Sequence, residues 1–158
     1  MHRIWAPWRK QYLQECHNSD CFLCEIFHSD KDDKNLVLHR FDHVYVVMNK
    51  YPYTNGHLMV VPNQHAGDLN ELPSNIRSEC FEITNQAIQW LIKALHPQGF
   101  NIGMNLGKVA GAGLESHLHI HIVPRWAGDA NFMTTVHQTR VISESLEDTY
   151  QRIKESIP

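Results

Sequence analysis

The segment His117-Leu118-His119-Ile120-His121-Ile122-Val123 alternates strictly between histidine and aliphatic residues. Successive side chains on a β-strand point to opposite faces. The spacing therefore predicts a strand with Leu118, Ile120 and Ile122 on one face and all three histidines on the other. Same-face neighbours on a strand stand roughly 6.6 Å apart, so the imidazoles form a row. Each of them needs a hydrogen-bond partner, which makes the row unlike an ordinary core face. Two chemistries fit it. One is a metal site, since His-x-His on a strand can ligate zinc. The other is nucleophilic catalysis by one histidine whose neighbours fix its tautomer. The third reading, a solvated face that happens to be rich in histidine, sits badly with the wholly aliphatic opposite face.

The rest of the chain supplies partners for such a strand. Leu36-Val37-Leu38 and Val44–Met48 are rich in strand formers, with a turn at Arg40–His43 between them. The turn chemistry of Tyr51-Pro52-Tyr53-Thr54-Asn55-Gly56 leads into a third strand, His57–Val61, closed by Pro62. Ser74 is the expected N-cap of a long helix with Ile76, Cys80, Ile83, Ala87, Trp90, Leu91 and Ala94 on one face, ended by His96-Pro97. Residues 100–106 alternate apolar positions with Asn101, Gly103 and Asn105, which predicts a half-buried strand. Residues 107–113 read as a flexible glycine-rich loop, and residues 29–34 as a solvated charged loop. Leu146, Tyr150, Ile153 and Ile157 are spaced as a short amphipathic C-terminal helix. Residues 1–20 read as irregular, with Trp5 and Trp8 packed on the body. Strands joined by short turns, with one long helix inserted, predict an α+β fold with a mostly antiparallel sheet.

The 158 residues are expected to form a single domain, 1–158, with an N-terminal segment over 1–30 and a C-terminal helix within 140–158. A net charge of -3 gives no basic field, so no nucleic acid polymer is expected as a partner. No run of apolar residues is long enough to span a membrane, and the opening residues lack a signal-peptide core, so a cytoplasmic protein is expected. The chain has four cysteines, two of them in Cys21-Phe22-Leu23-Cys24. That spacing reads first as half of a tetrahedral zinc site and second as a redox pair; two free buried thiols are the remaining alternative.

The histidine row and its flanks resemble the histidine triad (HIT) family. The resemblance rests on residues 117–123 together with Asn49 and Gly56–Pro62, Asn105-Leu106-Gly107 with Ala110-Gly111, and Pro124-Arg125-Trp126. Trp5–Arg9 with the cysteine pair, and Gly128–Met133, resemble its diadenosine tetraphosphate branch. The resemblance implies a compact α+β domain whose sheet continues across a homodimer. It implies that His119 attacks the α-phosphorus of a nucleotide and carries a nucleotidyl-histidine, while His121 orients it and helps bind phosphate. It implies a structural zinc held by Cys21, Cys24, His65 and His117. Asn49 matches the position that meets the ribose, and Asn105 a polar residue on the phosphate side. Backbone N–H groups around Gly111 and Gly113 are placed to cradle phosphate oxygens, because glycine permits close approach. His57 is open between a direct role at the nucleotide and a structural one beside the pocket.

The expected activity is hydrolysis of a dinucleoside polyphosphate such as diadenosine tetraphosphate. The alternatives are phosphorolysis of the same substrate, cleavage of an AMP phosphoramidate, and nucleotide binding without turnover. Ala112-Gly113 stands where phosphorylase members of the family tend to carry Gly-Ser, which tilts the expectation toward water as acceptor.

Overall fold

The computed structural model describes residues 21–129 and 144–158. The expectations for residues 1–20, Trp5 and Trp8 included, and for the segment 130–133 lie outside the described residues.

The described residues begin with α1 (Phe22–His28) and a single helical turn, α2 (Asp32–Asn35), and enter the sheet at β1 (Val37–Arg40). Strands β2 (Val44–Met48) and β3 (Leu58–Pro62) follow, then the long helix α3 (Ser74–Leu95). After α3 come β4 (Gly99–Gly103), β5 (Ile120–Arg125) and α4 (Leu146–Lys154). The five strands form one antiparallel sheet in the order β1-β2-β3-β5-β4. The expected α+β architecture is what the chain adopts.

The larger core lies between one sheet face and α3. Val44, Val46, Met48, Leu58, Val60, Leu118, Ile120 and Ile122 meet Ile76, Cys80, Ile83, Ala87, Trp90, Leu91 and Ala94 there. Both sets follow the periods of their elements, so alternation and helical spacing select the same interface. The other sheet face carries a smaller cluster, in which Leu23 of α1 packs on Val37, Tyr45, Val47, Met59 and Val61. The turn before β3 is tight. Gly56 has φ +71°, and a Cβ there would collide with the Leu95 side chain.

Several boundaries differ from the expected ones. Pro73, not Ser74, is the N-cap of α3, and Ser74 is its first helical residue. A proline at a helix start forfeits nothing, because the N–H it lacks would have no intrahelical partner. Pairing of the histidine strand begins only at Ile120. The β3–β5 register would bring Leu118 opposite Pro62, which has no N–H to give to the ladder. Leu118 donates instead to the Ala66 carbonyl at 2.6 Å. The strand expected over 100–106 pairs only over Gly99–Gly103, and Asn105 lies beyond it. The charged stretch 29–34 is partly the helical turn α2. Its Asp32 pairs with Arg40, whose guanidinium also donates to the Ile26, Phe27 and Ser29 carbonyls and so binds the C-terminal end of α1. Asp33 pairs with Lys154 and accepts from the Tyr150 hydroxyl, which ties α4 to the same turn. The glycine-rich loop contains a 3-10 turn at Lys108–Ala110.

Candidate active site

The sheet face opposite α3 holds a cross-strand row. The ladder sets Val47 opposite Met59 and Met59 opposite His121. Helix α1 stands over this row with Phe22 and Ile26, which pack against the same apolar cluster. A cavity of about 410 Å³ lies between them. Its walls include Phe22, Ile26, Val47 and Met59 at the apolar part, and Asn105, Gly111, Gly113, His119 and His121 at the polar part. Asn49 lines it too, and its side-chain oxygen accepts the Tyr51 N–H at 2.9 Å.

The hydrogen bonds fix the tautomer of each histidine. The Tyr53 N–H lies 3.1 Å from His57 Nδ1, so that nitrogen is an acceptor and His57 carries its proton on Nε2. His57 Nε2–H donates to His121 Nδ1 at 3.0 Å, so His121 in turn carries its proton on Nε2. His119 Nδ1–H donates to the His117 carbonyl at 2.9 Å, which leaves the lone pair on Nε2. His57 is fully buried, and burial together with the nearby His121 and His119 pushes its pKa down to about 3. Burial also lowers the pKa of His119, against an opposing pull from the carbonyl it faces. A neutral His119 with a free-base Nε2 is the protonation state a nucleophile needs.

His117 leaves the row. Its Nε2–H donates to the Pro62 carbonyl at 2.9 Å, which turns Nδ1 toward Cys21 Sγ at 3.1 Å and Cys24 Sγ at 3.4 Å. His65 Nδ1 lies 3.2 Å from Cys24 Sγ. The four ligand atoms fall within 4.8 Å of one another and form a possible metal site. Nitrogen and sulfur ligands on a tetrahedral zinc stand about 3.5 Å apart, so the set is the right size. The second-sphere bond to Pro62 orients the imidazole as metal-bound histidines require. Burial and the neighbouring Cys21 hold the Cys24 thiol up at about 11, and a cation bound in this pocket would favour its thiolate.

Sequence reasoning thus named two clusters that the fold brings together. His119, His121, Asn49, Asn105, Gly111 and Gly113 share the cavity, while Cys21, Cys24, His65 and His117 share the metal cluster. Two expectations change. His57 does not line the cavity and reaches it only through His121. The Gly111 N–H is taken by the Lys108 carbonyl at 3.0 Å, so it is not available to a phosphate. The apolar wall was missed in the sequence. Phe22 and Ile26 are four residues apart beside the cysteines, a helical spacing that was open to reading.

A buried imidazole with a lone pair facing a mostly apolar cavity can serve as a nucleophile, and the known proteins give the class, a nucleotide-processing enzyme of the histidine triad family. The HIT domain family model matches residues 30–128, and the chain belongs to the histidine triad family. It is 41% identical over 157 residues to the AP-4-A phosphorylase of Mycobacterium tuberculosis (strain CDC 1551 / Oshkosh), covering 94% of this chain and 80% of that one. It is 25% identical over 105 residues to the adenosine 5'-monophosphoramidase HNT1 of Saccharomyces cerevisiae, covering 66% and 62%. Its fold superposes on a Zn-bound histidine triad family protein from Mycobacterium smegmatis with a TM-score of 0.72, at 24% identity, over 87% of this chain and 93% of that one.

Proposed function

We propose that the protein transfers a nucleotidyl group from a dinucleoside polyphosphate of the diadenosine tetraphosphate type to inorganic phosphate, through a covalent nucleotidyl-His119. The observation that carries this reading is the His119 tautomer: Nδ1–H is held by the His117 carbonyl and Nε2 is left as a lone pair on a residue that lines the cavity. In the first step Nε2 attacks the α-phosphorus, a P–N bond forms, and the bridging P–O bond breaks to release ATP. The His121 Nε2–H is a hydrogen-bond donor suited to the oxygens that gain charge. In the second step a phosphate oxygen attacks the same phosphorus, the P–N bond breaks, and ADP leaves.

Phosphate as acceptor is supported by the 41% identity to a phosphorylase. Ala112-Gly113 favours a second reading, hydrolysis, because neither residue offers a hydroxyl to hold an acceptor phosphate. Products decide. Diadenosine tetraphosphate should give ADP plus ATP with added phosphate, whereas AMP plus ATP independent of phosphate establishes hydrolysis. His119→Ala should lose turnover by either route while keeping its fold by circular dichroism. Undiminished turnover in that variant overturns the nucleophile assignment.

The metal is proposed to be zinc, held by Cys21, Cys24, His65 and His117. When bound it supplies structure and charge neutralisation, since four protein ligands leave no open position for a reactant. The relative solved with zinc supports the choice of metal. A homodimer is proposed from the outer edge of β4, where Ile102 and the neighbouring Leu106 and Val109 are exposed. Among the described residues no helix is long and apolar enough to cross a membrane. The free cysteine pair suits a reducing compartment, and we place the protein in the cytoplasm.

A further inference from the structure

At the end of the cavity remote from the histidines, the α2–β1 turn contributes Lys34, Asn35 and Leu36 to the wall. Lys34 is exposed, but Asn35 is half-buried. Leu36 has φ 60°, a left-handed conformation that a leucine adopts at a cost. That conformation caps α2 and lets the Leu36 carbonyl accept the Met48 N–H at 2.9 Å, which anchors the turn to β2. Asn35 is therefore held on a fixed backbone. Its own N–H goes to the Lys31 carbonyl, while among the described residues its side-chain amide has no hydrogen-bond partner. A half-buried amide with a donor and an acceptor unused, on the wall of a cavity, can pair with a ligand that brings both.

The sheet fixes which part of a nucleotide reaches it. β1 lies three ladder steps from β5, about 14 Å at ordinary strand spacing. That is comparable to the length of an extended nucleoside monophosphate. With its phosphate at His119 and His121, a nucleotide would lay its base along the apolar strip of Val47 and Met59 under Phe22 and Ile26. The outer edge of the base then meets Asn35.

We propose that Asn35 reads the base, pairing through its amide with the 6-amino group and adjacent ring nitrogen of adenine. Adenine shows a donor beside an acceptor on both of its outer edges, so the amide is satisfied in either orientation of the ring. Guanine matches in one orientation and shows two acceptors in the other. The inference rests on the nucleotide reading above.

The experiment is a calorimetric titration of the wild-type protein and Asn35→Ala with AMP and with purine riboside 5'-monophosphate, which lacks the 6-amino group. The wild type should bind AMP about tenfold more tightly, the lower range for a bidentate amide–base pair. In Asn35→Ala the two affinities should converge, AMP losing more than purine riboside 5'-monophosphate, which keeps the ring nitrogen but not the 6-amino group. A general loosening of the pocket would weaken both ligands and keep their ratio. Equal affinities in the wild type overturn the proposal while leaving the nucleotide reading intact, and so does a ratio preserved in the variant. A wild-type protein that binds neither ligand overturns both. Because the wild-type ratio alone can refute the idea, the test survives a variant that folds poorly.

Discussion

His57 shows how much a single residue can be asked to hold. It is fully buried, it accepts the Tyr53 N–H, and it donates to His121. Protonating it would convert Nδ1 into a second donor aimed at that N–H, so the native state resists the proton. Its pKa stands at about 3 against an ordinary value of 6.5. The unfolded chain therefore takes up a proton near pH 6.5 that the native chain refuses until far lower pH. Stability contributed above pH 6.5 is lost as the pH falls, by about 2 kcal/mol from this one group between pH 7 and pH 5. Urea unfolding at pH 7, 6 and 5 should show the decline, and imidazole nitrogen NMR should find His57 still neutral at pH 5. A native His57 signal titrating near 6.5 contradicts the assignment. At this scale the sequence was legible where chemistry needs a fixed residue type at a fixed spacing. Cys21, Cys24, His117, His119 and His121 were all readable. The partners that set each tautomer were not, because they are backbone groups of Tyr53, Pro62 and His117, and no side-chain pattern records a carbonyl's direction.

Among the elements, α1 links the two clusters. Its first turn carries Cys24, Cys21 caps it, and the same seven-residue helix supplies Phe22 and Ile26 to the cavity wall. No side-chain cap holds its N-terminus, whereas Arg40 holds the other end. The metal cluster holds the starting end of the wall together with Leu23, which packs on the sheet and whose carbonyl accepts the Tyr45 hydroxyl at 2.8 Å. Cys24→Ser should lose bound metal and weaken AMP binding by about tenfold, a loss near 1.4 kcal/mol. Metal analysis and titration of AMP into the same preparation measure both. Full AMP affinity in metal-free protein shows that α1 needs no metal to stay in place. Helix α3 was readable because its apolar stripe repeats over 22 residues. Helix α1 was not, because seven residues hold too few turns to show a period against the stronger signal of the cysteines. The helical turn α2 was hidden in a charged run. Asp33 serves Lys154 and Tyr150, contacts of long sequence separation that no local window contains, while Asp32 serves Arg40 eight residues on.

For the whole molecule, the two edges of the sheet are treated differently. At β1 the Tyr150 hydroxyl of α4 reaches the Val37 carbonyl at 2.9 Å, and α2 packs beside the same strand. At the other edge, β4 pairs only with β5 among the described residues, and Asn101, Ile102 and Gly103 are exposed. An open edge carrying apolar side chains is a template for another strand. Ile102 is 48% exposed, and Leu106, just past the strand, is 42% exposed. The outward face of α3 adds Phe81 and Ile92 to the unburied apolar surface. The alternation over 100–106 announced a half-buried strand, and the chain by itself buries less of it than that pattern asks. A second copy meeting β4 edge to edge would cover Ile102 and extend the sheet. Light scattering after size exclusion should give twice the chain mass for the wild type. Ile102→Lys places a charge on that edge and should shift the protein to single chains, with its far-UV spectrum retained because the side chain is 48% exposed and lies outside the buried core. A wild-type protein that stays at the single-chain mass through a concentration series leaves β4 as a true free edge, and Ile102 as surface that some other contact must explain.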